Sequence, residues 1–196
     1  MAVVINGSGT VTGISVGGLP DGIVDSGTLA TNSVDSAELV DGSIDTAHIA
    51  ADQITSAIMP AGSVLQVVSA TYSTSLSLTT ATYTDTGLTA TITPKFATSK
   101  ILITGYLPLL KTTGGNTYTI PKLLRGSTAI LEFGRVCYDN STSDLAQSAS
   151  FNYLDSPATD LAVTYKTQIN NGSASGVVVS CWDNRASTIT LMEIAG

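Results

Sequence analysis

Residues 161–195 read LAVTYKTQI (161–169), NNGSA (170–174), SGVVVSCW (175–182), DNRA (183–186) and STITLMEIA (187–195). Runs rich in Val, Ile, Thr and aromatic residues are cut by Asn170-Asn171-Gly172 and Asp183-Asn184, which form turns through left-handed backbone or local side-chain hydrogen bonds. The same texture extends back to Gly62. Its runs are SVLQVVSA (63–70), TYTDTGLTATI (82–92), KILITGYLPLL (100–110), TYTIPKLLR (117–125), TAILEFGRVCY (128–138) and AQSASFNYL (146–154). Breaks fall at Gly114-Gly115-Asn116, Asp139-Asn140-Ser141 and Asp155-Ser156-Pro157. Nine short strands with regular turn signals predict an all-β, antiparallel β-sandwich of jelly-roll type over residues 61–196. A hydrophobic share of 43% gives the 196-residue chain material for a core, and a charged share of 12% is poor for solvated helices.

Upstream of Pro60 the texture changes. Cut into tens, residues 21–60 read DGIVDSGTLA, TNSVDSAELV, DGSIDTAHIA and ADQITSAIMP. Val24, Val34, Ile44 and Ile54 share one column, and Leu29, Leu39, Ile49 and Met59 share another. Apolar positions five residues apart fit neither an uninterrupted strand nor a helix. Each unit therefore reads as an extended piece carrying Val or Ile, followed by Asp-Ser/Thr capping one helical turn whose Leu or Ile returns to the same side. A single narrow stripe cannot form a core within one chain, so these eight side chains are expected to pack on copies of themselves about a threefold axis. Residues 21–60 are then a slender shaft. Residues 1–20, alternating small, polar and β-branched residues up to Gly17-Gly18-Leu19-Pro20, read as one or two short strands and a joint.

Charge follows the same division. Residues 1–60 hold seven acids and no Lys or Arg, whereas residues 61–196 hold eight of each sign, so the net charge of −7 lies wholly in the first part. With no basic cluster there is no phosphate footprint, which argues against nucleic acid and anionic lipid as partners. No apolar run approaches the length of a membrane span, and the residues after Met1 lack a basic stretch of the signal-peptide kind. Cys137 and Cys181 lack metal-ligand spacing and read as buried free thiols in preference to a disulfide.

Catalytic and cofactor-binding patterns are scarce. The sole histidine, His48, falls in a repeat column with Thr28, Glu38 and Ile58, a solvent-side position rather than a general base. Glu132 and Glu193 lie on strands, suited to pairing with Arg or Lys across a sheet, and most other acids of residues 61–196 lie in turn signals. Asp25, Asp35 and Asp45 are read as caps in preference to an axial cation ring. Gly7-x-Gly9 with Gly13 lacks the lysine and βαβ setting of a phosphate loop. The expectation is no catalytic residues, no metal and no cofactor. What remains is binding: Tyr138, Asn140, Trp182, Asp183 and Arg185 cluster at two strand-end turns, and aromatic faces beside directed polar groups suit a saccharide. The competing reading of Trp182 is a core residue.

The segments INGSGTVTGISVGGLPDGIVD (5–25), the decapeptides of the DGSIDTAHIA kind, the junction MPAGSVLQVV (59–68) and the terminal ITLMEIAG (189–196) together resemble short tail-fibre and fibre-like virion proteins of tailed bacteriophages, especially marine and cyanobacterial ones. That resemblance implies a virion homotrimer. Residues 1–20 would attach it to another virion protein, residues 21–60 would form its shaft, and a head of residues 61–196 would meet a host cell-surface glycan or protein. The expected function is a non-enzymatic structural fibre for receptor binding and host attachment. The rivals are a capsid fibre or decoration protein, and a polysaccharide-degrading spike.

Overall fold

The structure is a computed structural model that describes residues 4–5, 11–12, 34, 39, 41–42, 44, 48–50 and 53–196. The chain divides into two units, Met1–Ile54 and Thr55–Gly196. Residues 55–60, which the sequence assigns to the last repeat, thus belong to the second unit.

In the first unit, β1 (Val4–Ile5) pairs antiparallel with β2 (Val11–Thr12). Val24 and Leu29 lie outside the described residues. Val34, Leu39, Ile44, Ile49 and Ile54 are all exposed, as is Met59 of the second unit. His48 is exposed too. The described repeat residues adopt bends and turns. Where the sequence expects a capped helical turn in the fourth repeat, the Ile58 N–H donates to the Thr55 carbonyl at 3.0 Å. That single three-residue closure is tighter than an α-turn.

The second unit is built from twelve strands. They are β3 (Val64–Tyr72), β4 (Leu76–Leu78), β5 (Thr84–Ile92), β6 (Lys100–Thr112), β7 (Thr117–Thr119), β8 (Lys122–Arg125), β9 (Thr128–Glu132), β10 (Val136–Asp139), β11 (Leu145–Asp155), β12 (Val163–Ile169), β13 (Val177–Ser180) and β14 (Ser187–Ile194). All pairings are antiparallel. One sheet runs β3-β14-β6-β11, with β13 and then β4 continuing from the far end of β6, the facing one runs β5-β12-β8-β9, and β7 and β10 form a separate pair. Numbering the eight strands of the two four-strand runs along the chain, the orders are 1-8-3-6 and 2-7-4-5. That is the jelly-roll arrangement, two interleaved Greek keys in facing sheets.

Period-two burial produces the sandwich. Inner and outer positions alternate strictly along β5, β12 and β14. Leu88, Ala90 and Ile92 of β5, Ile101, Ile103, Leu107 and Leu109 of β6, Tyr165 and Ile169 of β12, and Ile189 and Leu191 of β14 fill one core. Phe151 lies over Gly105 on the neighbouring strand, where a Cβ would come within 2.2 Å of its ring.

The runs 117–125 and 128–138, each expected as one strand, are each two. Pro121 has no N–H to give a ladder, and there the chain leaves β7, which pairs with β10, for β8, which pairs with β12 and β9. Phe133-Gly134-Arg135 makes the return crossing from β9 to β10. Pro108, inside β6, is tolerated for a related reason. β11 covers one whole edge of β6, while the other passes from β14 (opposite residues 100–106) to β13 (opposite residues 109–112). The Pro108 carbonyl accepts from the Cys181 N–H at 3.1 Å, so its missing donor falls in that gap.

Candidate functional site

The structure places the five sequence candidates in two groups. Tyr138 and Asn140 belong to the first, at the end of β10. The Tyr138 hydroxyl donates to Asn140 Oδ1 at 3.3 Å and Asn116 Oδ1 at 3.4 Å. The Tyr138 ring meets Tyr118 edge-on at 6.1 Å, and the Arg135 guanidinium lies 4.2 Å from the Tyr118 ring and 5.6 Å from that of Tyr138. Lys111, fully buried, fixes the adjoining turn by donating to the carbonyl oxygens of Ser141 (2.6 Å) and Asp139 (3.4 Å), with the Asp139 carboxylate 3.7 Å away. Two hydrogen bonds from Ser141 hold the Asp139 carboxyl below its ordinary pKa.

Trp182, Asp183 and Arg185 form the second group, in the turn between β13 and β14. Cys181 (φ 51°), Asp183 (φ 55°) and Asn184 (φ 54°) are left-handed. Asp and Asn tolerate that region, whereas a cysteine there needs support from its surroundings. The support is visible: the Cys181 N–H donates to Pro108, its carbonyl accepts from Ser75 Oγ at 2.6 Å, and its thiol lies 3.0 Å from Ser187 Oγ and 3.4 Å from the Tyr72 carbonyl. With Cys181 anchored inward, Trp182 turns to the outer face. It is half-buried there rather than a core residue, and the Arg185 guanidinium stacks 4.1 Å from its ring. Asp183 is exposed at the rim.

Trp182 and Arg185 line a depression of about 220 Å³ with Tyr106 and Pro108 of β6 and Ala146, Gln147 and Ser148 of β11. β6 and β11 bring their residues here by register, with Pro108 opposite Ser148. Gln147 Oε1 accepts the Cys137 N–H at 2.6 Å, which turns that side chain toward β10, on the face of β11 that Ala149 and Phe151 share. No carboxylate lines it. Tyr106 and Ser148 were invisible as site residues in the sequence, because each looks like an ordinary outward strand position.

Along the outer face of the β3-β14-β6-β11 sheet the chemistry is graded. Val67, Met192, Leu102 and Leu154 form one cross-strand row, in which Val67 (58%) and Leu154 (50%) are strongly exposed. The next row is Ser69, Thr190, Thr104 and Asn152, with Ser69 and Thr190 hydroxyls 3.1 Å apart. Tyr106 follows, opposite Thr188 and Ser150, at the edge of the depression. A separate hollow of about 400 Å³, lined by Leu131, Phe133, Ser150, Phe151 and Asn152, contains no charged group.

Four of the acids weighed for catalysis are engaged elsewhere. Glu132 pairs with Lys122 across β8 and β9 at 2.8 Å, the kind of cross-sheet pairing its strand position suggests. Glu193, fully buried, accepts from Gln66 Nε2 at 2.6 Å and from the Lys95 N–H at 2.7 Å, with no cation on it. Asp155 corrects its turn assignment, ending β11 buried against Arg125, whereas Asp85 sits on β5, within the strand run 82–92, against Lys166 and Gln168. Both cysteines are buried free thiols. Among the described residues, no three His, Cys, Asp or Glu side chains stand close enough to share a metal ion.

No protein-family model matches the chain, and no curated protein matches it. Among solved structures it is similar to the infectious bursal disease virus VP2 subviral particle, with a TM-score of 0.39 and 12% identity over 66% of this chain and 37% of that one. For the Gx strain of the same virus the TM-score is 0.40 and the identity 19%, over 67% of this chain and 32% of that one. For the Gt strain they are 0.38 and 13%, over 68% and 39%. The chain thus spans less than two fifths of the length of each viral protein with which it aligns.

Proposed function

We propose that this chain is a non-enzymatic structural protein of a bacteriophage particle, a homotrimeric fibre whose jelly-roll heads bind a glycan or protein on the host cell surface. The carrying observation is the apolar stripe. Val34, Leu39, Ile44, Ile49, Ile54 and Met59 recur at five-residue spacing and stand exposed in a single chain. Burying such side chains is worth ~1.5–3 kcal/mol each before the cost of ordering the chain, and among the described residues no apolar face covers them. Copies of the same stripe supply that face, most simply three about an axis. The row Val67, Met192, Leu102 and Leu154 supports the same reading, since it offers self-complementary apolar surface within the head. Three heads on one assembly suit weak individual contacts, because linked sites raise avidity by ~10²–10⁴.

Residues 1–20 attach the fibre to another virion protein, and the heads carry host attachment. The test has two arms. Sedimentation or native mass measurement of the full chain should give three copies, and labelled protein should adsorb to host cells. A stable monomer, or protein that adsorbs to particles but not to cells, overturns the reading.

A further inference from the structure

The lining of the Trp182 depression points to one ligand chemistry. The polar side chains of its lining on the outer face are Arg185, Trp182, Tyr106 and Ser148. The first two can only donate hydrogen bonds. Gln147 turns its side chain to the other face, where Oε1 accepts the Cys137 N–H. A site so lined is matched by a ligand group that only accepts.

Arg185 is arranged for that group. Among the described residues the ion pairs of the head are Lys111–Asp139, Lys122–Glu132, Arg125–Asp155 and Lys166–Asp85, and Arg185 belongs to none of them. Its guanidinium face stacks on Trp182, which leaves the N–H fork along its edge for an incoming partner. A planar carboxylate accepts two parallel bonds from such a fork, and stacking restricts the side chain before the ligand arrives. Beside the fork, Tyr106 and Pro108 offer apolar surface of the kind that packs against the C–H face of a sugar ring. The lining holds no carboxylate, and the one acid of the same turn, Asp183, is exposed to solvent, where screening weakens its repulsion of an anion.

We infer that the depression formed by Trp182, Arg185, Tyr106, Pro108 and Ser148 binds the carboxylate of an acidic sugar residue, with Arg185 as its fork. This rests on the proposal that the head recognises a host surface glycan. The experiment uses the full-length chain and three acidic probes: oligogalacturonate, oligomannuronate and oligosialic acid, each beside its carboxyl-reduced counterpart. Trp182 is the only tryptophan, so its fluorescence reports binding at the site. At least one acidic probe should change that fluorescence and bind tenfold or more tightly than its reduced form, weakening as salt rises. Arg185→Gln should remove the preference for the acid, and Arg185→Lys should remove most of it, since the charge stays and the fork is lost. Near-UV circular dichroism checks that the variants keep the fold. The inference is overturned if no acidic probe binds better than its reduced form, or if Arg185→Gln binds as the parent does. Should the parent nevertheless adsorb to host cells, host attachment survives and only the acidic-sugar assignment fails.

Discussion

Asp155, at the end of β11 in one sheet, accepts a 2.7 Å hydrogen bond from the hydroxyl of Tyr165, which is fully buried on β12 of the facing sheet. Arg125 of β8 adds 3.0 Å bonds to both carboxylate oxygens. Burial first, then the neighbouring carboxylate, drives the Tyr165 hydroxyl far above its ordinary pKa, so it stays a donor throughout the working range. The two layers are thereby tied at one edge by a polar link as well as by the core.

Asp155→Ala should cost more than Tyr165→Phe. It strands a buried hydroxyl, a penalty of about 1–3 kcal/mol. It also frees Arg125, whose partial exposure keeps the lost ion pair small. Tyr165→Phe should cost about 1 kcal/mol, and Asp155→Ala in that background should cost less than alone. Urea titrations followed by Trp182 fluorescence measure all three. Additive losses would break the claimed coupling.

Glu193 sets part of the acid limit. Burial opposes its charged form, but the hydrogen bonds donated to it outweigh burial and hold its pKa below the ordinary 4.5. The unfolded chain therefore binds the proton first as pH falls. The stability contributed by the charged form is complete above about pH 4.5 and is lost as pH drops through the folded value. Glu193→Gln should be less stable than the parent at pH 7, with the difference shrinking toward pH 3. Urea midpoints at pH 7, 5, 4 and 3 test this, and a constant difference would remove Glu193 from the acid limit.

Neither thiol should react while the fold is intact. Cys137 is buried, and that burial pushes its pKa up to about 11, while Cys181 is buried against Ser187 and Tyr72. At pH 8 an aromatic disulfide reagent should label neither cysteine in native protein and both in urea. Rapid labelling of one cysteine without urea would show that its strand opens locally.

Changing Leu39 and Ile44 to Asp together places two charges per chain on the proposed packing stripe. The pair should dissociate the trimer or prevent its formation, because unpaired carboxylates buried between chains are costly. Sedimentation should shift from three copies to one. An unchanged trimer would assign association to the heads.

Gly176, at φ +66°, closes the loop before β13, and a Cβ there would stand 2.2 Å from the Thr113 carbonyl oxygen. Neither the backbone angle nor a backbone neighbour can yield cheaply. Gly176→Ala should lower unfolding stability by about 2 kcal/mol or more, as a sum of left-handed strain and overpacking. A thermal melt matching the parent would show that the loop rearranges freely.

The sequence by itself determined where most strands and turns fall and the change of character near Pro60, because these depend on side chains within a few residues of one another, but it missed β4 and the breaks at Pro121 and Gly134. β-branched alternation, Asn-Asn-Gly and Asp-Asn punctuation and the ten-residue period are all local. It also pointed to Trp182 and Arg185, since an aromatic and an arginine in one exposed turn are adjacent in the chain. Only the tertiary structure decided that β14 lies between β3 and β6, more than a hundred residues from the first, because pairing is chosen by the fit of whole sheet faces. The same register brings Tyr106 and Ser148 to Trp182, and the crossings at Pro121 and Gly134 carry Tyr118 and Arg135 to Tyr138 instead. Hence five residues that looked like one cluster became two. A side chain's neighbours across a sheet are set by strand order, and strand order is settled by burying one face of every strand at once.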